Sequence, residues 1–323
     1  MPIPLTYQAV RDRLLPELNQ LMWEALPDYI GATGKYSWID QIFHVNATDR
    51  LRHEFSSQES IGAWPVGTEL SPYPLEEWEL PQDLQVNLLP YKDSFLISDM
   101  LIKYGGPPEI HILPRLPDRV QNFVAGAMKS YNRRAGAIML DVFAGTIMLG
   151  PDGLPIANNN HIHQGSAVVY DNLIPFQLSA AALDFAFNLN SVSDLADSHG
   201  DPLDIQFDTL LIGRPNRRNA FDIVNNTVLP GAFNDQQNYW HGAIKNIIEV
   251  PWWKNSLGSG QWWGLLDSSQ HSLTGLVAEP PTLTVREGTG GPDTIQFYGR
   301  CIFEFFFKSW EGTAWSNGSQ PIT

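Results

Sequence analysis

With one cysteine, Cys301, in 323 residues, the chain can form no internal disulfide and offers no cysteine-based metal site. Charge is scarce as well: Asp, Glu, Lys and Arg together make up 17% of the sequence, against about 25% in an ordinary soluble domain. Bases are the scarcer sign, 20 against 35 acids, and the formal net charge is −15. A surface of that sign repels phosphate and argues against tight nucleic-acid binding. No uninterrupted apolar run approaches the roughly 18 residues that a membrane-spanning helix requires. Met1 to Leu5, punctuated by Pro2 and Pro4, lacks the basic-then-apolar pattern of a secretion signal. The expectation is a chain neither secreted nor membrane-spanning, in which the N-x-[ST] patterns at Asn46, Asn225 and Asn317 are chance matches. Phosphate-binding glycine loops of P-loop or Rossmann spacing and the G-x-S-x-G elbow are also absent.

Apolar residues are plentiful, at 43%, with 11 tryptophans, and arginine outnumbers lysine 13 to 7. Interfaces enrich aromatics and arginine and deplete lysine, so part of the surface is expected to be covered by partners. The length suggests two domains with mass enough for a real core.

The dominant pattern is Pro117 to Ala144. Val120, Phe123, Val124, Ala127, Met128, Tyr131, Ala135, Ile138, Met139, Val142 and Phe143 recur at three- and four-residue steps, which predicts one amphipathic helix. Pro117 and Asp118 suit its start and Gly145 its stop, and its length would be about 42 Å. Gly126 and Gly136 disfavour a helix interior, so a close approach of another group is expected at each.

Before this helix, Pro4 to Leu26 predicts a helical segment interrupted at Pro16, and Ile39 to Val45 a short strand followed by the polar run Asn46 to Glu54. Gly62 to Tyr91 carries Pro65, Pro72, Pro74, Pro81 and Pro90, which exclude a helix and leave two extended limbs, Glu76 to Leu80 and Leu84 to Leu89. Phe95 to Tyr104 is amphipathic, and Gly105 to Pro108 reads as a hinge. Beyond the long helix, Pro151 to Gly153 predicts a turn and Asn158 to His161 a polar loop. A helix capped by Ser179 and running to about Asn190 follows, then a strand at Thr209 to Ile212 and a helix at Pro215 to Val224. Ile247 to Val250 and Trp262 to Leu266 read as further strands. Ile295 to Lys308 alternates apolar and polar residues as one strand of about 46 Å, matched in length to the long helix, and the two are expected to pack side by side.

Chemical signals are weak. His161 and His163 form an H-x-H pair with metal-ligand spacing but without an evident third ligand, and a solvated loop is the competing reading. His199, His241 and His271 are scattered, and Glu76, Glu77 and Glu79 resemble a carboxylate pair only in composition. Trp252, Trp253, Trp262 and Trp263 keep a carbohydrate-active enzyme in view, with core and interface roles as the alternative.

In order along the chain stand Asp49-Arg50-Leu51, then Ile61-Gly62-Ala63-Trp64-Pro65, the long helix, and Asp152 to Ile156 leading to His161. Asp208 to Ile212 then runs into Arg214 and Pro215, and Glu249-Val250-Pro251 and the aromatic strand follow. This layout resembles the major capsid proteins of tailed phages with the Hong Kong 97-type fold, and is most similar to the Mu-like major head subunit branch. The resemblance implies an α+β fold with a long spine helix, a long peripheral-domain strand, an extended E-loop hairpin and a mixed axial domain. The divisions it implies are an N-terminal arm over 1–61, the E-loop over 62–101, the peripheral domain with its spine over 102–150, the axial domain over 151–281, and a return to the peripheral domain over 282–323.

A subunit of that family is not an enzyme and carries no catalytic residue, cofactor or metal. Its principal partner is itself, as pentamers and hexamers of an icosahedral shell, joined by scaffold, portal and decoration proteins. It encloses double-stranded DNA without binding it specifically, touches no membrane, assembles in the host cytoplasm and ends in the virion capsid. Within the same fold, an encapsulin enclosing a cargo enzyme is the alternative.

Some shells of this family weld neighbours through an E-loop lysine. Here Gly62 to Tyr91 holds Glu69, Glu76, Glu77, Glu79 and Asp83 but no Lys or Arg. A loop bearing these acids and Trp78 is therefore expected to dock noncovalently over Lys129, Arg133 and Arg134 on the spine of a neighbour.

Overall fold

The computed structural model describes residues 15–56, 83–98, 116–162, 169–191, 204–228, 237–254, 259–287 and 294–320. Residues 4–14, the limb at Glu76 to Leu80 and the hinge at Gly105 to Pro108 lie outside them. Five helices are described, α1 (Leu15–Ala25), α2 (Ser37–Ile42), α3 (Leu116–Leu140), α4 (Ala180–Ser191) and α5 (Arg217–Asn225). The strands are β1 (His44–Ala47), β2 (Arg52–Ser56), β3 (Asp83–Asn87), β4 (Leu89–Ser98), β5 (His161–Ile162), β6 (Val169–Tyr170) and β7 (Leu173–Phe176). They continue as β8 (Thr209–Ile212), β9 (Asn246–Glu249), β10 (Trp263–Leu266), β11 (Leu273–Glu287), β12 (Thr294–Phe307) and β13 (Thr313–Gln320). The chain divides into two compact units, one drawn from Met1–His53, Val86–Ala135 and Thr274–Phe305, the other from Glu54–Gln85, Gly136–Leu273 and Phe306–Thr323.

The first unit is built on a four-stranded sheet in the order β1-β11-β12-β4. β1 runs parallel to β11, and β12 lies antiparallel to β4 from Thr294↔Ser98 to Phe303↔Leu89. Alternation along β12 puts Ile295, Phe297 and Cys301 on the buried face, and from Cys301 to Phe307 every residue is buried, so that half is covered on both faces. The expected side-by-side packing of helix and strand is present. Tyr131 of α3 meets Phe303 and Phe305 edge-on at 5.0 and 4.8 Å, and the Phe123 ring occupies the space a Cβ at Gly299 would need. Phe95 stacks on Phe297 at 4.7 Å and Tyr91 on Phe303 at 4.3 Å, cross-strand aromatic pairs that fix the register of β4.

Two local expectations give way here. Ile39 to Val45 is not one strand: its first part belongs to α2, which buries Trp38, Ile39 and Ile42 at helical spacing, and β1 begins only at His44. The Trp38 indole donates to Asn132 Oδ1 of α3 at 3.0 Å, a tertiary bond that holds α2 in place. The described part of the Phe95 to Tyr104 pattern is the end of β4. Asn19 of α1 brackets Leu283 with two hydrogen bonds, 2.9 and 3.1 Å, so α1 is tied to β11.

The second unit holds a five-stranded sheet in the order β7-β13-β10-β8-β9, with β10 antiparallel to both neighbours and the two outer pairs parallel. All residues of β8 and β10 are buried, as the continuous apolar run of β8 required. Trp240, Trp253, Trp263 and Trp315 are fully buried in this unit. Ser179 caps α4 as expected, accepting from the Ala182 N–H at 3.1 Å. The expected helix at Pro215 to Val224 starts as a 3₁₀ turn, Arg214–Asn216, before α5.

Asp208 joins three segments of this unit. Its carboxylate accepts from the Ser268 N–H and hydroxyl at 3.1 and 2.7 Å, from the Thr209 hydroxyl at 3.0 Å and from the Lys245 ammonium at 3.4 Å. Burial pushes its pKa up, but these hydrogen bonds outweigh burial and hold it below the usual carboxylate value. A depressed folded pKa contributes stability above the unfolded pKa that is lost as pH falls through the folded one. The melting temperature should therefore drop below about pH 4. Asp208→Asn should cost about 1–3 kcal/mol at neutral pH and flatten that acid limb. An equally steep acid limb in the Asn variant would contradict this account of Asp208.

Candidate assembly surface

The helix α3 turns two stripes in opposite directions. Leu116, Val120, Val124, Met128, Tyr131, Ala135, Ile138 and Met139 are buried, whereas Asp118, Arg119, Asn122, Gly126, Lys129 and Arg133 are exposed at three- and four-residue steps. Lys129 and Arg133, one turn apart, face solvent together. Arg134 does not join them. Its guanidinium Nε donates to Glu304 Oε1 at 2.5 Å, with side chains 22% and 5% exposed. Burial pushes the Glu304 carboxyl above its usual value, against the opposing pull of Arg134 and the Phe305 N–H. Of the three bases expected to receive an acidic loop, Arg134 is thus committed within its own unit.

Gly126 also departs from expectation, because a Cβ there would meet nothing within 4 Å, whereas one at Gly136 would collide with the Trp252 ring. Of these two, only Gly136 owes its place to close packing inside the chain. Next to Gly126, a groove of about 200 Å³ is lined by Tyr91, Lys92, Phe123, Ser130, Arg300 and Cys301 among others. A second hollow beside it carries Lys92, Arg286 and Arg300 against Asp93 and Glu279, and the Arg300 guanidinium sits 2.6 Å from Glu279. Burial, reinforced by Glu279, pushes the Cys301 thiol up to about 11, and burial, followed by Glu304, raises the Tyr91 phenol. Both groups stay protonated at neutral pH, so neither is primed for nucleophilic or proton-transfer chemistry. A groove with an aromatic floor and a mixed-charge rim is suited to holding a segment of polypeptide.

Glu69, Glu76, Glu77, Trp78 and Glu79 lie outside the described residues, as do His163 and His199. His161 does not belong to a solvated loop. It is fully buried in β5, with Nδ1 2.6 Å from Asp152 Oδ2, Nε2 3.2 Å from the Ile156 carbonyl oxygen, and its ring stacked 4.8 Å from Trp310. Both ring nitrogens are occupied by acceptors within the fold, which makes the residue a structural post rather than a metal ligand. Among the described residues, no group of three His, Cys, Asp or Glu side chains is placed to hold a metal. Trp253 and Trp263 are buried, and their indoles donate to the carbonyls of Met139 and Phe176, so these two serve the core rather than a sugar cleft.

Sequence reasoning missed the Asp141 staple that ends α3. Its two carboxylate oxygens accept from the N–H groups of Thr146, Ile147 and Met148 and from the Thr146 hydroxyl at 2.6 to 3.1 Å. Nothing local in the sequence pointed to the pairing of His161 with Asp152 or to Trp310 as the third member of the buried post.

No family model matches the chain, and no curated protein matches it. Solved structures do. A chain of the asymmetric unit of the bacteriophage PhiM1 mature capsid superposes with a TM-score of 0.53 at 7% identity, covering 90% of this chain and 89% of that one. The procapsid of bacteriophage JBD30 gives 0.46 at 13% identity, over 97% of this chain and 77% of that one. The SrpI encapsulin of Synechococcus elongatus PCC 7942 gives 0.44 at 12%, over 88% and 89%. The likeness to the PhiM1 chain shows that this mixed helix-and-sheet chain has the fold of that phage's capsid subunit.

Proposed function

We propose that this chain is the building block of an icosahedral shell: the major capsid protein of a tailed phage, with the Hong Kong 97-type fold and nearest to its Mu-like branch. The observation that carries the reading is the fold shared with the PhiM1 capsid chain over 90% of this chain. In this reading α3 is the spine of a peripheral domain with β12 beside it, 62–101 is the E-loop, and 151–281 is the axial domain. The subunit works without catalyst, metal or cofactor and binds copies of itself as pentamers and hexamers. Scaffold, portal and decoration proteins are its further partners. It encloses double-stranded DNA without specific binding, in keeping with a net charge of −15. It assembles in the host cytoplasm.

The acidic, lysine-free loop of one subunit docks noncovalently on its neighbour over Lys129 and Arg133, the two of the three expected bases left exposed once Arg134 pairs with Glu304. Each exposed pair contributes only about 0.2–1 kcal/mol, so the contact depends on repetition around a closed shell. Lys129→Glu with Arg133→Glu should block particle formation without moving the subunit's melting temperature, and Glu76→Lys with Glu77→Lys should partly restore it. Boiled, reduced particles should run as one band near 36.2 kDa. Undiminished assembly of the double Glu variant would contradict the docking site, and a covalent ladder would contradict noncovalent docking.

A further inference from the structure

The aromatic strand is clothed unevenly. From Cys301 onward β12 is buried on both faces, but before it Gln296, Tyr298 and Arg300 alternate with buried neighbours and look out from the sheet. The same outward face carries Lys92, Ser94 and Leu96 of β4, all exposed, with Leu96 at 56%, and Thr284 and Arg286 of β11, also exposed. Its cations are badly placed for the sheet alone. Lys92 stands directly opposite Arg300 in the register of β4 and β12, and like charges so placed destabilise a strand pair. Arg300 has an answer in Glu279 at 2.6 Å, which also accepts from the Thr282 hydroxyl at 2.8 Å. Among the described residues neither Lys92 nor Arg286 has a carboxylate partner, and Arg286 rests over the Tyr298 ring, 5.8 Å from its centroid. The middle of the face is held in order: the Tyr298 hydroxyl donates to Gln296 Oε1 at 2.6 Å, and Gln296 Nε2 donates to Ser94 Oγ at 3.1 Å. β4 is an edge strand, but Pro90 offers no N–H and the Ser94 N–H is taken by Asp93 Oδ1 at 2.8 Å, so this stretch of edge is closed to a further strand.

We propose that this outward face, from Lys92 and Arg300 across to Arg286, is a docking surface for an acidic polypeptide segment of a partner protein, laid over the strands with its carboxylates on the cations. The hollow in the face holds about 630 Å³, the size of a ligand site. Charge complementarity selects the occupant. A carboxylate set between Lys92 and Arg300 turns their repulsion into attraction, and a second one meets the guanidinium fork of Arg286, which has no carboxylate of its own among the described residues. A peptide suits the hollow better than a nucleic acid, because Asp93 and Glu279 line it too and repel a continuous run of phosphates, whereas a peptide spaces its charges. Leu96 adds an apolar contact for a residue between the acids. With the edge closed beside it, recognition falls to side chains rather than to strand addition. The face lies wholly in the first unit, and its use does not depend on whether copies of the chain close into a shell.

The test is the fluorescence anisotropy of a short labelled peptide, in which glutamates flank a leucine, titrated with the full chain. The parent should saturate the signal, with an affinity that weakens as salt is added. Lys92→Glu with Arg286→Glu should weaken binding about tenfold or more. Lys92→Gln with Arg286→Gln should weaken it less, and this pair carries the test should the Glu variant fail to melt cooperatively. Arg217→Glu with Arg218→Glu makes the same change of net charge on the second unit and should leave the affinity within about twofold. A peptide with glutamine in place of each glutamate should not bind. A parent that leaves the acidic peptide free overturns the proposal, as does undiminished binding by the Lys92 and Arg286 variants, an equal loss in the Arg217 and Arg218 variant, or equal binding of the glutamine peptide. Retention of a short DNA duplex that depends on Lys92 and Arg286 would assign the face to phosphate. Sedimentation in which those variants alter only self-association would assign it to a second copy. Either result overturns the proposal too.

Discussion

Met139→Asp should lower the melting temperature by about 10 °C or more, or leave the chain insoluble. Met139 is fully buried near the C-terminal end of α3, and its carbonyl oxygen accepts from the buried Trp253 indole at 2.8 Å. One turn earlier, the Trp252 ring fills the space above Gly136, so the carboxylate would arrive in a tryptophan-walled core. A carboxylate buried without a partner costs several kcal/mol whether it stays charged or takes up a proton. In a chain of this size each kcal/mol corresponds to about 2–4 °C. Asn122→Asp, on the exposed stripe of the same helix, introduces the same group into solvent and should change stability by less than about 0.5 kcal/mol. Calorimetric melts of both variants check the contrast, and equal melting temperatures would show that the buried stripe of α3 has been misassigned.

The features legible in the sequence were those with a strong local period. The long helix, the aromatic strand, β8 and the Ser179 cap all declared themselves through residue spacing or a single capping side chain. The end of α3 was less legible. Val142 and Phe143 keep the helical rhythm past Leu140, but Asp141 takes the N–H groups of Thr146, Ile147 and Met148 and draws the chain into a turn. Ile39 to Val45 was ambiguous for another reason: a short apolar run fits either period, and the bond from Trp38 to Asn132, 94 residues away, holds the helical one. Gly126 and Gly136 look alike in sequence. Only the arrival of Trp252, more than a hundred positions later, separates a packed glycine from an open one.

Long-range pairing also governed the candidate surface. Lys129, Arg133 and Arg134 read as one basic platform until Glu304, 170 residues away, claims Arg134. The buried His161 was masked by its polar neighbours Asn158 to Asn160, because its partners Asp152, Ile156 and Trp310 meet only in the folded second unit. The two units also differ in charge, the first with 14 acids and 14 bases and the second with 21 acids and 6 bases, a division that emerges only once the fold assigns each segment to its unit.

The central claim is that this chain closes into shells, and the most direct test is the mass and image of the purified chain in solution. Sedimentation together with negative-stain microscopy, over a range of protein and salt concentrations, should find hollow particles on the order of megadaltons, built by symmetric repetition of one subunit. A single 36.2 kDa species under every condition would contradict the account.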